Sequence, residues 1–218
     1  MACKLVACSQ SLIDTNMTAD DLLVYIARVS NPQNQTNFET GGKLLRHCHQ
    51  HSHWSIFEHA YMTVEITTTR AIARQILRHR SFTFQEFSQR YAAVTEFLPV
   101  HARSQDKKNR QSSLDNLSQE TQEWWEESQF RIHNMATQLY DVALQLGIAK
   151  ETARFLLPES AKTVMYMTGN VRSWINYLQL RRGNGTQLEH QEIANEIWQL
   201  FQQQFPSVAS AMATLEST

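Results

Sequence analysis

The amino-acid sequence predicts an α+β fold, a mixed or antiparallel sheet flanked by helices, in a single domain. Two segments, 60–69 (AYMTVEITTT) and 162–168 (KTVMYMT), alternate in polarity and are rich in β-branched residues, as half-buried strands are. Longer stretches, above all 119–147, 170–181 and 187–204, space their apolar residues at helical intervals. Strands and helices do not alternate as the regular strand–helix–strand units of a doubly wound sheet, which favours α+β. A length of 218 residues suits one domain.

Each element has its own signal. Residues 3–8 read as a short strand. Asp20 and Asp21 are suited to starting a helix that runs through Leu22, Leu23, Ile26 and Ala27. Residues 31–42, NPQNQTNFETGG, have the composition of a loop, and 43–53 look helical. After the strand at 60–69 the helical pattern returns over 70–80. Residues 98–118 are polar with little to bury, so a surface excursion is expected. The long helix of 119–147 stops near Gly147, a residue suited to ending helices. Lys150–Leu157 reads as a short helix before Pro158. The strand at 162–168 and the helices at 170–181 and 187–204 follow, and the tail 206–218 is expected to be poorly ordered. There is no repeat of fixed period.

Composition narrows the function. Hydrophobic residues make up 42% and charged residues 19%, enough apolar material for a core. A formal net charge of -1 gives no global field toward nucleic acid, and no nucleic-acid partner is expected. Of 20 basic residues, 14 are arginine, whose planar fork matches phosphates and carboxylates. Cys3, Cys8 and Cys48 are an odd set without CxxC spacing, which argues against a disulfide framework and suits a reducing cytoplasm. The N-terminal segment lacks a signal-peptide core and no apolar run reaches membrane-span length, so no membrane partner is expected.

The most informative stretch is 69–92, TRAIARQILRHRSFTFQEFSQRYA. On a helix, Ile72, Ile76 and Leu77 make an apolar stripe, and Arg70, Arg74 and Arg78 recur every four residues on another face. Three like charges in a row repel unless solvated or met by anions, and a solvated face is the ordinary outcome. Here His79 and Arg80 extend the basic cluster. Gln85, Glu86, Ser88 and Arg90 then follow on what reads as a turn and extended segment, among Phe82, Phe84, Phe87 and Tyr91. That mixture suits a planar ligand carrying phosphates: arginines for the phosphates, Gln, Glu and Ser for the ring edges, aromatics for the walls.

Arg78-His79-Arg80, then seven residues, Ser88 and Arg90 together resemble the signature of the flavin-dependent thymidylate synthases (ThyX). Thr83 and Gln85 stand where that family often has Ser and Asn. Most of the chain shares the resemblance. Ala27–Ser30 (ARVS), His53–His59 (HWSIFEH), Lys150–Pro158 (KETARFLLP) and Asn170 through Asn176 to Arg181 are similar to further family segments. Gln187, Glu192 and Ile193 resemble those of its following helix. The resemblance does not place residues 98–118.

The resemblance implies a single ThyX-like domain that methylates dUMP to dTMP. Methylenetetrahydrofolate would be the one-carbon donor, FAD the hydride carrier and NADPH the reductant, in a homotetramer with shared active sites. It assigns Gln75, Arg78, Glu86, Phe87, Ser88, Gln89, Arg90, Arg154 and Arg181 to dUMP, with Arg154 from a neighbouring subunit. Ser30, Ser55, Glu58, Arg78, His79, Arg80, Glu86, Asn170, Arg172 and Asn176 go to FAD. Arg181 would draw electrons toward a ring carbonyl, and His53 would contact folate or flavin; these two are the catalytic candidates. Ser88 has no general base beside it in sequence and is assigned to binding. None of the three cysteines lies in the motif, so a mechanism without a protein nucleophile is expected.

Helix geometry offers an independent check. At about 100° per residue, Val171, Trp174, Ile175 and Leu178 share one stripe, with Asn170 and Arg181 on one flank and Arg172 and Asn176 on the other. The run His47, His49, His51, His53 raises a metal site, but a helix would scatter it and HExxH is absent, so no metal is expected. Two other readings stay open: a nucleotide- or flavin-binding module without catalysis, and a histidine-cluster metal hydrolase.

Overall fold

The structure, a computed structural model, describes residues 1–94 and 96–216. In chain order its elements are β1 (Ala2–Cys8), α1 (Ala19–Ala27), α2 (Gly41–Gln50), β2 (Tyr61–Thr69), α3 (Arg70–Ile76), β3 (Thr83–Glu86), β4 (Ser104–Gln105), β5 (Ser113–Leu114), α4 (Gln119–Gln145), α5 (Lys150–Ala153), β6 (Lys162–Asn170), α6 (Val171–Arg181), α7 (Leu188–Gln204) and α8 (Pro206–Glu216). Short 3-10 turns lie at Pro32–Asn34, Trp54–Glu58 and Arg154–Leu156. The α+β expectation holds, in its antiparallel form: the main sheet has the order β1-β2-β6-β3 and every pairing is antiparallel.

The alternating segments form the centre of that sheet. β2 and β6 pair from Tyr61↔Asn170 to Thr69↔Lys162. Met62, Val64 and Ile66 of β2 and Met165 and Met167 of β6 are fully buried on one face. Each such side chain removed from water contributes about 1.5–3 kcal/mol before the entropy of ordering it is subtracted. The opposite face is more open and polar, with Thr63 bonded to Thr168 at 2.9 Å and the Tyr166 hydroxyl donating to Glu65 at 2.7 Å. The α6 stripe of Val171, Trp174, Ile175 and Leu178 is fully buried as the periodicity requires. The Trp174 indole N–H is satisfied by the carbonyls of Met62 and Gly169, each at 3.1 Å. Among the described residues no helix is long and apolar enough to cross a membrane.

Several boundaries differ, each for a local reason. α1 starts at Ala19, because Thr18 and Asp21 form a reciprocal capping box, and it buries Leu23 and Val24. α2 spans Gly41–Gln50, which leaves His53 outside the helix. The loop ahead of it is held by buried Arg28, which donates to the carbonyls of Asn34 and Asn37 and to the Thr40 hydroxyl. α4 ends where Gly147 takes φ +82°, a left-handed conformation suited to glycine. Lys150–Leu157 divides into the short α5 and a 3-10 turn. The 98–118 excursion carries the β4–β5 hairpin, and the largely covered Arg103 within it pairs with buried Glu189.

The tail corrects an expectation. Residues 206–216 form α8, with Val208, Ala209, Ala211 and Met212 buried. The Asp20 carboxylate accepts from the Ser207 N–H at 2.9 Å, so a carboxylate of α1 caps the first turn of α8. Sequence position alone did not reveal the partner. Val208→Asp places an unpaired charge in this contact and is expected to cost about 3 kcal/mol, read as a lowered urea midpoint. The last two residues of that expected tail, 217–218, lie outside the described residues.

Candidate active site

The site candidates begin where β2 ends. The Thr69 hydroxyl accepts from the Ile72 N–H at 3.3 Å and starts α3. The helix stops at Ile76, short of the expected residue 80, so Leu77 lies beyond it and is 38% exposed. A turn follows, with backbone bonds from Arg78 to Gln75, His79 to Ile76 and Phe82 to His79. Two distant groups fix it. The Ser173 hydroxyl donates to the Ser81 carbonyl at 3.1 Å. Phe82 lies against Gly169 so closely that a Cβ there would meet its ring at 2.5 Å. The basic segment Arg78–Arg80 is thus held between the end of β6 and the side of α6.

At this turn Arg181 donates from Nε to His79 Nε2 at 2.8 Å. Burial, helped by the Arg181 charge, lowers the His79 pKa to about 4, so the ring is a neutral acceptor at neutral pH. Its ring meets Tyr177 edge-on at 4.9 Å, and the Tyr177 hydroxyl lies 3.1 Å from His190 Nε2. Burial is also the main cause that lowers the His190 pKa to about 3, with the Arg181 charge second. Gln75 donates to the Gln187 side-chain carbonyl at 2.6 Å, and its own carbonyl oxygen lies 3.4 Å from His190 Nδ1. Arg78 and Arg80 are exposed, and among the described residues neither has a carboxylate within ion-pair distance.

A second group gathers near the start of α6. Arg172 pairs with Glu58 and lies 5.9 Å from the Trp54 ring centroid. Ser55 is exposed on the same 3-10 turn, and Asn176 is exposed one helical turn after Arg172. Asn170 caps α6, its side-chain oxygen accepting from the Ser173 N–H at 2.9 Å. Arg172 and Arg181 are separated by roughly 13 Å of helix, so α6 presents cations near both of its ends.

A third group lines a cleft of about 320 Å³ bordered by Arg70, Arg74, Gln89, Arg154 and Glu159. Arg70 pairs with Glu86 at 2.7 Å and Arg74 with Glu159 at 2.6 Å, so the expected arginine row is met by carboxylates, and Arg78 leaves it because α3 has ended. Glu86 also accepts from the Thr163 hydroxyl at 2.9 Å. The Ser88 hydroxyl accepts from the Arg90 N–H, and Arg90 pairs with Glu151 at 3.2 Å. Phe87 is partly exposed and Gln89 is buried. Arg154 donates to the Glu151 carbonyl, and no described hydrogen bond or ion pair joins it to Arg78 or Arg181. Ser30 sits exposed in the turn after α1.

His53 stands beside the rings of His47 and His51 at 6.0 and 6.2 Å, and those two stack at 4.0 Å. Among the described residues no group of three or more His, Cys, Asp or Glu side chains is arranged to hold a metal. Burial raises the pKa of all three cysteines, so none has the thiolate character of a nucleophile.

Tyr177, Glu189, His190 and Arg103 were not among the sequence candidates; their partners lie far along the chain, and no spacing marks them. Neutral His79 and His190 carry a consequence. Their folded pKa values lie below the ordinary 6.5, so the unfolded chain binds more protons between pH 6.5 and about 4. Stability is expected to fall as pH drops through that window, read as lower urea midpoints at pH 5 than at pH 7. Equal midpoints would contradict the neutral pair.

Comparison with known proteins adds to this geometry. Residues 11–207 match the family described as thymidylate synthase complementing protein. A probable flavin-dependent thymidylate synthase of Paramecium bursaria Chlorella virus 1 is 51% identical, covering 97% of this chain and 99% of the relative. A flavin-dependent thymidylate synthase of a Synechocystis species is 50% identical over 90% of each chain. The crystal structure of the UMP/dUMP methylase PolB from Streptomyces cacaoi, bound with 5-Br dUMP, superposes with a TM-score of 0.84 at 26% identity, covering 98% of this chain and 94% of that one.

Proposed function

The chain belongs to the family of flavin-dependent thymidylate synthases, and from that premise we propose that it converts dUMP to dTMP with methylenetetrahydrofolate, FAD and NADPH. The observation that carries the reading is the Arg181–His79 contact. Neutral His79 accepts a hydrogen bond from the Arg181 Nε–H and fixes the guanidinium, which leaves the two terminal nitrogens to donate elsewhere. A pyrimidine carbonyl placed there would be polarised by a positioned cation. Gln75, Arg78, Ser88, Gln89 and Arg90 would complete the nucleotide site, with Arg154 supplied by a neighbouring subunit.

The donor set suits a flavin dinucleotide. Among the described residues Arg78 and Arg80 have no carboxylate partner, and they would meet its phosphates. Arg172, Glu58, Ser55 and Asn176 would hold its polar edges beside Trp54, with Asn170 at the head of α6 and Ser30 and Glu86 as further contacts. The chemistry a bound flavin supplies is hydride transfer; the protein's part is to hold both ligands and exclude water. His53, exposed next to Trp54, would face the folate. The homotetramer draws support from α4, which exposes Phe130, Met135 and Leu139, and from Phe155, exposed beside Arg154.

The reading is tested by reconstitution. Purified protein is expected to take up FAD, and NADPH is expected to bleach the flavin absorption; a chain that holds no FAD contradicts it. Because burial keeps the cysteines protonated, Cys48→Ser is expected to keep at least half of the turnover in a dTMP assay. Complete loss would point to a thiol nucleophile.

A further inference from the structure

A directed hydrogen-bond chain reaches Gln75 from the hairpin excursion. Arg103 and Glu189 form an ion pair at 2.5 Å with side chains only 10% and 6% exposed. Burying such a pair costs desolvation, and a purely superficial excursion does not require it. The ionised Glu189 carboxylate only accepts hydrogen bonds. One oxygen takes Arg103, and the other takes the Gln187 side-chain N–H at 2.9 Å. Gln187 must therefore turn its carbonyl to Gln75, and Gln75 must turn its nitrogen to Gln187, at 2.6 Å. The Gln75 carbonyl then faces His190 Nδ1, which must carry the ring proton, and His190 Nε2 accepts from the Tyr177 hydroxyl. Reversing any one amide sets two acceptors or two donors against each other. His190 is wholly buried and neutral, so it does not offer a second proton to relax the order.

We infer that Gln187, Glu189 and Arg103 are positioning residues that fix the Gln75 amide as a donor toward the nucleotide. Gln75 has two amide protons. One is spent on Gln187 and the other is left for an acceptor oxygen of the substrate, a ring carbonyl or a phosphate. The inference rests on the reading that Gln75 binds dUMP.

The test is a double-mutant cycle on dUMP binding by the full chain, measured calorimetrically. Gln187 is exposed, so Gln187→Ala leaves the core intact. Gln75→Ala and Gln187→Ala are each expected to weaken dUMP binding about tenfold, and the double variant to be no weaker than Gln75→Ala alone. In turnover, Gln187→Ala is expected to raise KM for dUMP by a larger factor than it lowers kcat. Unchanged binding in Gln187→Ala, or losses that multiply in the double variant, would overturn the inference. If the unaltered protein binds no dUMP, or Gln75→Ala is silent, it is the assignment of Gln75 that fails. The chain itself is then tested by the ¹⁵N shifts of His190: an Nδ1–H tautomer supports it and an Nε2–H tautomer overturns it.

Discussion

Arg181→Ala is expected to lower kcat/KM for dUMP by about 10²–10³-fold, the usual cost of deleting a preorganised donor from a site of developing charge. The residue stands at the end of α6, its Nε spent on His79 and no carboxylate neutralising it among the described residues. Folding should survive, since among the described residues the substitution breaks no ion pair. Arg181→Lys is not expected to rescue, because a single ammonium cannot serve His79 and a ring carbonyl in one plane. Steady-state rates with circular-dichroism melting separate the two effects. A loss below threefold would remove Arg181 from the chemistry.

The second large effect depends on subunit sharing. Arg154→Ala is expected to be as damaging as Arg181→Ala, because Arg154 lines the cleft and, among the described residues, its guanidinium has no carboxylate partner and donates to the Glu151 carbonyl. If both serve one site from different subunits, dissociating and reassembling the two inactive variants together should restore about a quarter of the sites, since random assembly joins two intact partners that often. Recovery of activity to that level would support sharing. No recovery, with tetramers reformed, would place both arginines in the same subunit.

Much of this was legible in the residues. The alternation at 60–69 and 162–168 marked the two central strands, and the apolar stripe of α6 was read at its right positions. What could not be read was where distant groups intervene. α3 ends at Ile76 because Ser173 and Gly169, roughly ninety residues onward, hold the turn that follows. The arginine row looked repulsive because its periodicity does not show that the chain folds Glu86 back onto Arg70 and brings Glu159 from far along the sequence onto Arg74. α8 looked like a loose tail because its cap, Asp20, lies at the other end of the chain. Local periodicity records what an element buries; it does not record who supplies its hydrogen bonds.

The central claim is that positioned arginines and a bound flavin, without a protein nucleophile, methylate dUMP. The direct measurement is dTMP formation by the purified chain with dUMP, methylenetetrahydrofolate and NADPH, with and without added FAD, after the protein is stripped of flavin. The expected result is dTMP made only when FAD is restored, in step with the NADPH oxidised. Formation of dTMP by the flavin-free protein, or none by the reconstituted one, would contradict it.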